Sequence, residues 1–328
     1  MMKIIALIAI VGWSQLVLAS PSWFTETKSD TASQYYGYGA GDTQEDAVKA
    51  ALNDIASKIA VTIESSYASM QTVSGDSFVN ERKNEILANV KKMKFNNHEV
   101  MKSVNDSDEI YVLVRVDREQ LLEEKKSELD ILSSKLSEEQ ASIQNTSDIE
   151  KYKTIMMLED DLKTLNETFF MSKSIVPSFE GDEYAELYKN FKKMMVNSKS
   201  GIVLFIDGDT AVSKNYAKVF SNYLSKQGIK VSQTKANAIL MVTTNIKEKK
   251  VESTSEAIKN SKFASVELST VLKKADGTQI ASNSTRFVNN SSASYDDATK
   301  KTQKLEKFLS ERPEKVLNFI FAINQKEE

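Results

Sequence analysis

A run near the start of the chain alternates tyrosines with glycines and predicts a strand packed closely against its neighbour. From residue 35 the sequence reads Tyr-Tyr-Gly-Tyr-Gly-Ala-Gly. Side chains alternate between the two faces of a strand, so Gly37, Gly39 and Gly41 share one face. A glycine inside a strand often marks a close approach of another backbone. We therefore predict a short strand over residues 35–40 that packs against a helix.

An alanine-rich segment follows the strand and predicts that helix. Thr43 opens it with a capping-box-like pattern, because Asp46 is an acidic residue three positions later. Five aliphatic residues then fall on one helical face, with alanines beside them that permit close approach to a sheet. These five are expected to form the buried face of the helix: Val48, Leu52, Ile55, Ile59 and Ile63.

The remainder of the first domain, residues 20–118 in all, is predicted to complete an antiparallel sheet. A polar stretch at 71–76 precedes a second helix over residues 78–92. Strands over 94–104 and 109–117 flank an Asx-rich turn, which is typical of a hairpin. A helix over an antiparallel sheet gives an α+β fold.

The order of these elements resembles the Lpp-twenty lipoprotein family. Pro21-Ser22-Trp23 opens the stretch, and Ile110-Tyr-Val-Leu-Val-Arg-Val116 closes it. The mature domain of that family opens with Pro-x-Trp and a short Tyr/Gly strand, then has an Ala-rich helix and a Tyr-Val-x-Val strand. The resemblance covers about a third of the chain. It implies an envelope protein with an α+β domain, and it implies no chemistry.

The first 19 residues have the pattern of a cleavable export signal. Lys3 supplies the positive start, residues 4–11 the apolar segment, and Val17-Leu18-Ala19 the small-residue cleavage site. A retained anchor is the alternative, but the apolar segment is shorter than the ~20 residues that span a bilayer. We expect a mature chain that begins near Ser20 and is periplasmic or secreted.

The composition excludes several classes of protein. The sequence contains no cysteine. A bacterial lipoprotein carries its lipid on a cysteine at the first mature position, so the chain departs here from the family it resembles. Lipid anchoring, disulfides and thiolate metal sites are excluded. The net charge of −3 gives no case for a nucleic-acid partner, since nucleic-acid binders show a basic excess. No later apolar run approaches membrane-spanning length.

Residues 119–172 are predicted to form a helical hairpin. Leu122, Leu129, Leu136 and Ile143 recur every seven residues, and a turn is expected just after them. A coiled-coil dimer is the alternative, but its other core positions would be charged or polar. An intramolecular hairpin is therefore favoured.

Residues 173–328 are predicted to form a second α+β domain with the order β-α-β-β-β-β-α. Its strands are expected at 202–206, 229–233, 238–246, 264–273 and 279–288. Asp276-Gly277 is a hairpin-turn signal between the last two strands. A helix over 213–226, closed by Gly228, and a long helix over 296–324, interrupted near Pro313, complete the domain. The order is similar to that of envelope assembly domains of the curli-secretion and flagellar T-ring families.

One motif resembles a catalytic site. The strand at 202–206 ends in Asp207-Gly208-Asp209, which is similar to the first motif of haloacid-dehalogenase-type phosphotransferases. In that chemistry one aspartate attacks phosphorus, the other handles the leaving-group proton, and Mg²⁺ offsets the phosphate charge. An Mg²⁺-dependent phosphohydrolase that uses Asp207 and Asp209 is therefore the alternative function.

The supporting parts of that site are weak in the sequence. Asp296-Asp297 would have to supply the metal-binding pair, although a polar segment precedes it, and Thr243 or Thr244 the phosphate-binding hydroxyl. No parallel β-α-β repeat is expected around them. A turn over residues 207–210 that caps the next helix is the favoured interpretation.

Two other patterns are expected to be structural. The glycines at 37, 39 and 41 lack the Lys-Ser/Thr that a phosphate loop requires. His98 is the sole histidine, so a zinc site or a Ser-His-Asp triad would lack partners, and we expect it on the surface. We predict no catalytic, cofactor-binding or metal-binding residues.

The candidate partner-binding residues are the aromatic cluster Trp23, Tyr35, Tyr36 and Tyr38. Exposed aromatic residues commonly anchor interfaces, although core packing under the first helix is the favoured alternative. The leading hypothesis is a non-enzymatic exported protein that contacts other envelope proteins. It would support an assembly such as the flagellar basal body, or act as a surface or virulence-associated protein. The sequence leaves the oligomeric state open.

Overall fold

The computed structural model describes residues 20–74, 87–90, 93–106, 109–252, 255–311 and 313–323. Two compact units interleave along the chain. The first contains the described residues up to Leu129 together with Glu167–Glu180, and the second contains Asp130–Asn166 together with the described residues from Gly181 onward. The predicted export signal lies outside the described residues, and the predicted boundaries at residues 118 and 172 stay predictions.

The first unit is a three-stranded antiparallel sheet with a long helix on one face. Its strands are β1 (Gln34–Gly41), β2 (His98–Asp106) and β3 (Glu109–Asp117), in the spatial order β1-β3-β2. Its first helices are α1 (Ser22–Thr25) and α2 (Gln44–Ser74). The starts predicted for β1, α2 and β3 are each within a residue of those observed.

The long helix is buried through alanines more than through large side chains. Ala47 and Ala51 are fully buried with Ile55, Ile59 and Ile63, whereas Val48 and Leu52 lie half-buried at the margin of this stripe. The predicted face does pack on the core, but Val48 and Leu52 form the margin of the buried stripe and the alanines form its centre. Small side chains lie innermost because the helix backbone comes close to the glycines of β1.

Other predictions for this unit need correction. Residues 71–74, predicted as a polar stretch before a second helix, still belong to α2. The first strand of the hairpin begins at His98, not at Lys94. Residues 87–90, which belong to the helix predicted over 78–92, are helical. The remaining residues of that predicted helix lie outside the described residues. So does part of the hairpin turn, although Asp106 pairs with Glu109 as a hairpin requires.

The segment between the sheets is helical, as predicted, but it has three helices where the predicted hairpin had two. It contains α3 (Arg118–Ile143), α4 (Asp148–Met157) and α5 (Glu159–Ile175). In the first unit the Arg118 guanidinium donates to the carbonyl oxygen of Ile175 at 3.2 Å. In the second, the Lys135 ammonium bonds to Asp161 at 2.7 Å. Both contacts join α3 to α5 within one chain and in antiparallel order, which is the arrangement of the favoured intramolecular hairpin.

The second unit is a five-stranded sheet with helices packed on one face. Its strands are β4 (Val203–Gly208), β5 (Lys230–Val231), β6 (Ala238–Lys249), β7 (Lys262–Lys274) and β8 (Gln279–Ser291), in the spatial order β5-β4-β6-β7-β8. Its helices are α6 (Asp182–Gly201), α7 (Ala211–Lys226), α8 (Glu256–Lys259), α9 (Tyr295–Lys300), α10 (Gln303–Glu311) and α11 (Pro313–Phe321). With the first unit, this confirms the α+β class.

The pairing of β4 contradicts the expectation that this unit has no parallel strands. β4 pairs parallel with β5 on one side and with β6 on the other, while β6, β7 and β8 pair antiparallel. The helix α7 makes the crossover from β4 to β5, and Gly228, with a φ of +80°, ends it. β5 itself is shorter than the strand predicted over 229–233. The predicted C-terminal helix is also broken, because residues 301–302 separate α9 from α10.

Candidate functional site

Four aromatic side chains gather on the face of the first sheet that points away from α2, and we call them the aromatic face. Tyr38 comes from β1, Tyr111 from β3, and Trp23 with Phe24 from the short helix α1. The Phe24 ring makes T-shaped contacts with Tyr111 at 4.9 Å and with Tyr38 at 6.0 Å between centroids. Trp23 packs edge-on against Phe24 at 6.1 Å. All four rings stay half-buried, so they form a continuous and accessible apolar surface.

Lysine ammonium groups border this surface. Lys102 of β2 lies 5.5 Å from the centre of the Trp23 ring, and Lys28 lies 4.0 Å from that of Tyr36. A cation over an aromatic ring is attracted by the negative face of the ring. The hydroxyl of Tyr38 accepts the backbone N–H of Lys28, which ties the segment after α1 to the sheet. The aromatic face therefore combines apolar rings with a positively charged margin.

The structure separates the four aromatic residues singled out in the sequence. Tyr35 belongs to the core beneath α2, where burial raises the pKa of its phenol. The Arg118 guanidinium lies 3.8 Å from the centre of the Tyr35 ring, and the Tyr35 hydroxyl donates to the carbonyl oxygen of Ser174. Tyr36 points to the opposite side but is only 2% exposed. Trp23 and Tyr38 remain accessible.

Sequence reasoning missed Phe24 and Tyr111 as members of the aromatic face. Tyr111 could have been found from the pairing of the strands, because Ala40 lies opposite it and strand alternation then places it on the same face as Tyr38. Phe24 had no such signal. Its place depends on how α1 packs on β3, which is a tertiary contact.

Side chains close the outer edge of β1 next to the aromatic face. The Asp30 carboxylate accepts the Tyr36 N–H at 2.8 Å, and the Asp54 carboxylate accepts the Tyr38 N–H at 3.3 Å. Lys58 donates to the Tyr36 carbonyl oxygen at 2.5 Å and forms an ion pair with Asp54 at 3.0 Å. A shallow pocket of about 420 Å³ lies over these groups. Because its polar lining is bonded to the strand edge, we interpret the pocket as part of the fold.

Of the two catalytic-looking aspartates, Asp207 still belongs to β4, where it is paired with Met241, so the turn expected over residues 207–210 begins only at Asp209. Thr210 is the N-cap of α7 and its hydroxyl oxygen accepts the Ser213 N–H at 3.1 Å. The Ser213 hydroxyl, fully buried, donates to Asp209 at 2.6 Å and lies 3.0 Å from the hydroxyl of Thr244. Gly208 permits this arrangement, since a Cβ there would lie 2.4 Å from the backbone nitrogen of Lys214.

The second acidic pair is engaged elsewhere. Asp297 accepts the Ser291 hydroxyl at 2.5 Å, and this bond is the main reason that the pKa of Asp297 is lowered. Asp296 forms an ion pair with Lys300 at 2.5 Å. In the part of the chain that the structure describes, no three His, Asp or Glu side chains are grouped closely enough to hold a metal ion.

The remaining candidates have structural surroundings. Gly37 and Gly39 lie against the backbone of α2, where a Cβ would approach the carbonyl oxygens of Ala51 and Ala47 to 2.1 Å. His98 is exposed at the start of β2, and its Nδ1 lies 3.1 Å from the carbonyl oxygen of Phe95. Neither place offers a phosphate loop or a catalytic histidine.

Comparison with known proteins agrees with the resemblance seen in the first third of the chain. Residues 21–117 match the family model described as LPP20 lipoprotein. The first sheet and α2 are therefore an LPP20-like domain, in a sequence without cysteine. Such a domain fits an exported envelope protein. No helix among the described residues is long and apolar enough to cross a membrane.

Two solved structures are similar to parts of this chain. A minor lipoprotein from Acinetobacter baumannii has 14% identity and a TM-score of 0.25, and the match covers 37% of this chain and 90% of that one. A secreted protein from the human pathogen Helicobacter pylori has 12% identity and a TM-score of 0.40, with 84% of this chain and 97% of that one covered. The search of curated proteins found no match.

Proposed function

We propose that this chain is an exported envelope protein without enzymatic activity that acts by binding other envelope proteins through its aromatic face. The observation that carries the proposal is the cluster of Trp23, Phe24, Tyr38 and Tyr111, four half-buried rings in contact on one side of the LPP20-like domain. The family match supports the envelope compartment.

The chemistry of the face suits a protein partner. Large aromatic rings bury much apolar area for little loss of side-chain entropy, and they are enriched at the centres of protein interfaces. Leu113 is 5% exposed and lies opposite Tyr38 in the sheet, so its apolar side chain is on the same face as the rings. Lys28, over the neighbouring Tyr36 ring, adds a cation at the margin that can pair with an acidic group of the partner.

The finer role is part of the same proposal. We propose that the partner belongs to an envelope assembly, with the flagellar basal body as one example and a surface or virulence-associated complex as another. The resemblance of residues 21–117 to an envelope lipoprotein family supports a place in the envelope.

The test is capture of partners from crosslinked envelopes, with the mature chain as bait. Trp23→Ala and Phe24→Ala remove rings from the aromatic face. We expect each to lower the recovery of the captured proteins at least about tenfold, as the loss of a central aromatic anchor does. Met157→Ala is the matched control, because Met157 is 59% exposed and lies outside the face.

Circular dichroism and thermal melts of each bait report whether the fold is kept. Equal recovery by wild type, Trp23→Ala and Phe24→Ala would contradict a role for the aromatic face. Recovery no greater than that of an unrelated exported bait would contradict the function itself.

A further inference from the structure

The two outer edges of the first sheet differ in how they meet solvent. Asp30, Asp54 and Lys58 bond to the outward backbone groups of β1. In contrast, β2 is exposed along most of its nine residues, with Met101 at 40% and Val104 at 39% exposure. An exposed strand edge is a template on which another strand can pair. The open edge is therefore the place where this domain can extend its sheet.

The register of the sheet shows which backbone groups of β2 point outward. On β1, the backbone N–H groups of Tyr36 and Tyr38 point away from β3 and donate to side chains. The backbone groups of Gly37, which lies between them, therefore point toward β3 and bond to Val114. Bonding directions alternate along an antiparallel strand. The backbone N–H and C=O of Leu113, the neighbour of Val114, must therefore point toward β2.

The same alternation continues across β2. Leu113 is paired with Lys102, and Tyr111 with Val104. Lys102 and Val104 thus direct their backbone groups inward, while those of Ser103, between them, and of Asn105 point outward. Any strand that pairs with this edge has to bond at Ser103 and Asn105.

The side chains of this segment are complementary to the same segment turned around. If a second copy lies antiparallel with its Val104 opposite Val104, each Lys102 faces Asp106 of the other copy. Ser103 then faces Asn105, which brings together the residues whose backbone groups point outward. Such a pair exchanges both backbone hydrogen bonds, and the Val104 side chains meet in the closer, non-bonded pair.

The limits of the pairing are also set by the strand. A β-bulge between Val100 and Lys102 interrupts the register on one side, and β2 ends at Asp106 on the other. A bulge and a charged residue on an edge normally discourage foreign strands. Here the lysine discourages strands that lack an acidic residue at the matching position, whereas a second copy supplies one.

We propose that residues 102–106 of β2 pair antiparallel with the same residues of a second copy of this chain, joining two three-stranded sheets into one six-stranded sheet. Five residues of each strand bury much less surface than the ~800 Å² per partner of a typical stable interface. The dimer is therefore weak and depends on concentration. It uses the edge of the sheet together with Lys102 at the margin of the aromatic face, and it leaves the four aromatic rings to other partners.

Charge exchange tests the register. In a dimer of Lys102→Asp, the new aspartate of each copy faces Asp106 of the other. In a dimer of Asp106→Lys, the new lysine of each copy faces Lys102 of the other. We expect each variant alone to raise the dimer dissociation constant of the mature chain at least about tenfold, since like charges directly opposed destabilise a sheet. In an equimolar mixture, an aspartate faces a lysine at both sites, so the mixed dimer should form as readily as the wild-type dimer. Sedimentation velocity over a concentration series measures all four samples.

Ser103→Pro tests the backbone bonds. Proline has no N–H to donate, and residue 103 does not donate to β3, so the sheet within one copy keeps its hydrogen bonds. Adding this change to both partners of the charge-exchanged mixture should abolish the mixed dimer, with circular dichroism confirming the fold. A wild-type chain that stays monomeric, single variants that associate as wild type does, or a mixture that stays monomeric would each overturn the proposal.

Discussion

Gly37 of β1 and Ala51 of α2 are in direct backbone contact, and a Cβ on Gly37 would lie 2.1 Å from the carbonyl oxygen of Ala51. The two residues set the separation of helix and sheet in the LPP20-like domain. Since neither backbone can move without shifting its whole element, the contact requires glycine at one side and a small residue at the other.

Replacing Gly37 by alanine should therefore destabilise the domain. The added methyl group has to push α2 away from the sheet, and overpacking of this kind costs about 1–3 kcal/mol or more. Urea unfolding of the mature chain measures the change in the free energy of unfolding. Ala40→Gly is the control, because Ala40 lies on the other face of β1 and is half-exposed. A Gly37→Ala variant as stable as wild type would show that the helix is not held at this distance.

The buried stripe of α2 makes a second prediction. Ile55 is fully buried, whereas Lys49 on the same helix is exposed. Ile55→Ala should cost about 2–5 kcal/mol through lost burial and an unfilled cavity, and Ile55→Asp should cost more because its carboxylate would be desolvated without a partner. Lys49→Ala should cost less than about 0.5 kcal/mol. Equal melting temperatures for Ile55→Asp and Lys49→Ala would mean that α2 does not pack on the sheet.

Local signals explain most of what the sequence predicted correctly. Thr43 accepts the Asp46 N–H at 3.1 Å as a helix cap, and Thr210 caps α7 in the same way. Gly277 has a φ of +89°, and Asp276 accepts the Thr278 N–H at 2.8 Å in the hairpin turn. Such features depend on residues within a few positions of one another, so a single sequence contains them.

Tertiary contacts explain what the sequence did not predict. The parallel pairing of β4 with β6 leaves no local mark, because a long connection separates the two strands. The place of Phe24 on the aromatic face depends on the packing of α1. Helical spacing placed Val48 on the buried face, but the close approach of the β1 backbone puts the alanines at its centre and Val48 at its margin. Long-range geometry decided each of these cases.

Closing the β1 edge should protect the protein from non-specific strand pairing. Lys58→Met keeps the apolar stem but removes the hydrogen bond to the Tyr36 carbonyl oxygen and the ion pair with Asp54. We expect a stability loss of about 1 kcal/mol or less, since Lys58 is partly exposed, together with faster growth of light scattering at 37 °C. Lys49→Met, on the solvated face of the same helix, should scatter as wild type does. Identical curves for both variants would contradict a protective role of Lys58.

The phenol of Tyr152 should make the second unit sensitive to alkaline pH. Tyr152 is 1% exposed, and burial, with a contribution from the Glu159 charge, raises its pKa to about 12. Below about pH 10 the phenol is protonated in both the folded and the unfolded chain. Above it the unfolded chain ionises first, so the free energy of unfolding falls by about 2 kcal/mol as the pH rises to 12. Tyr152→Phe should remove that part of the decline in urea titrations between pH 9 and 12. Parallel declines in both proteins would show that the phenol does not ionise on unfolding.

The aspartates at the end of β4 give the sharpest test against the phosphohydrolase. Asp209 accepts the buried Ser213 hydroxyl, while Asp297 accepts Ser291 and Asp296 pairs with Lys300. These carboxylates are bonded to different partners, whereas the reaction would need them around one Mg²⁺ ion with the phosphate between them. We expect the wild-type chain to hydrolyse a generic phosphomonoester no faster in Mg²⁺ than in EDTA. We also expect Asp207→Asn to capture the same envelope partners as wild type does. Mg²⁺-dependent turnover that disappears in Asp207→Asn would reverse the assignment, because the loss of one nucleophilic carboxylate would then explain the loss of activity.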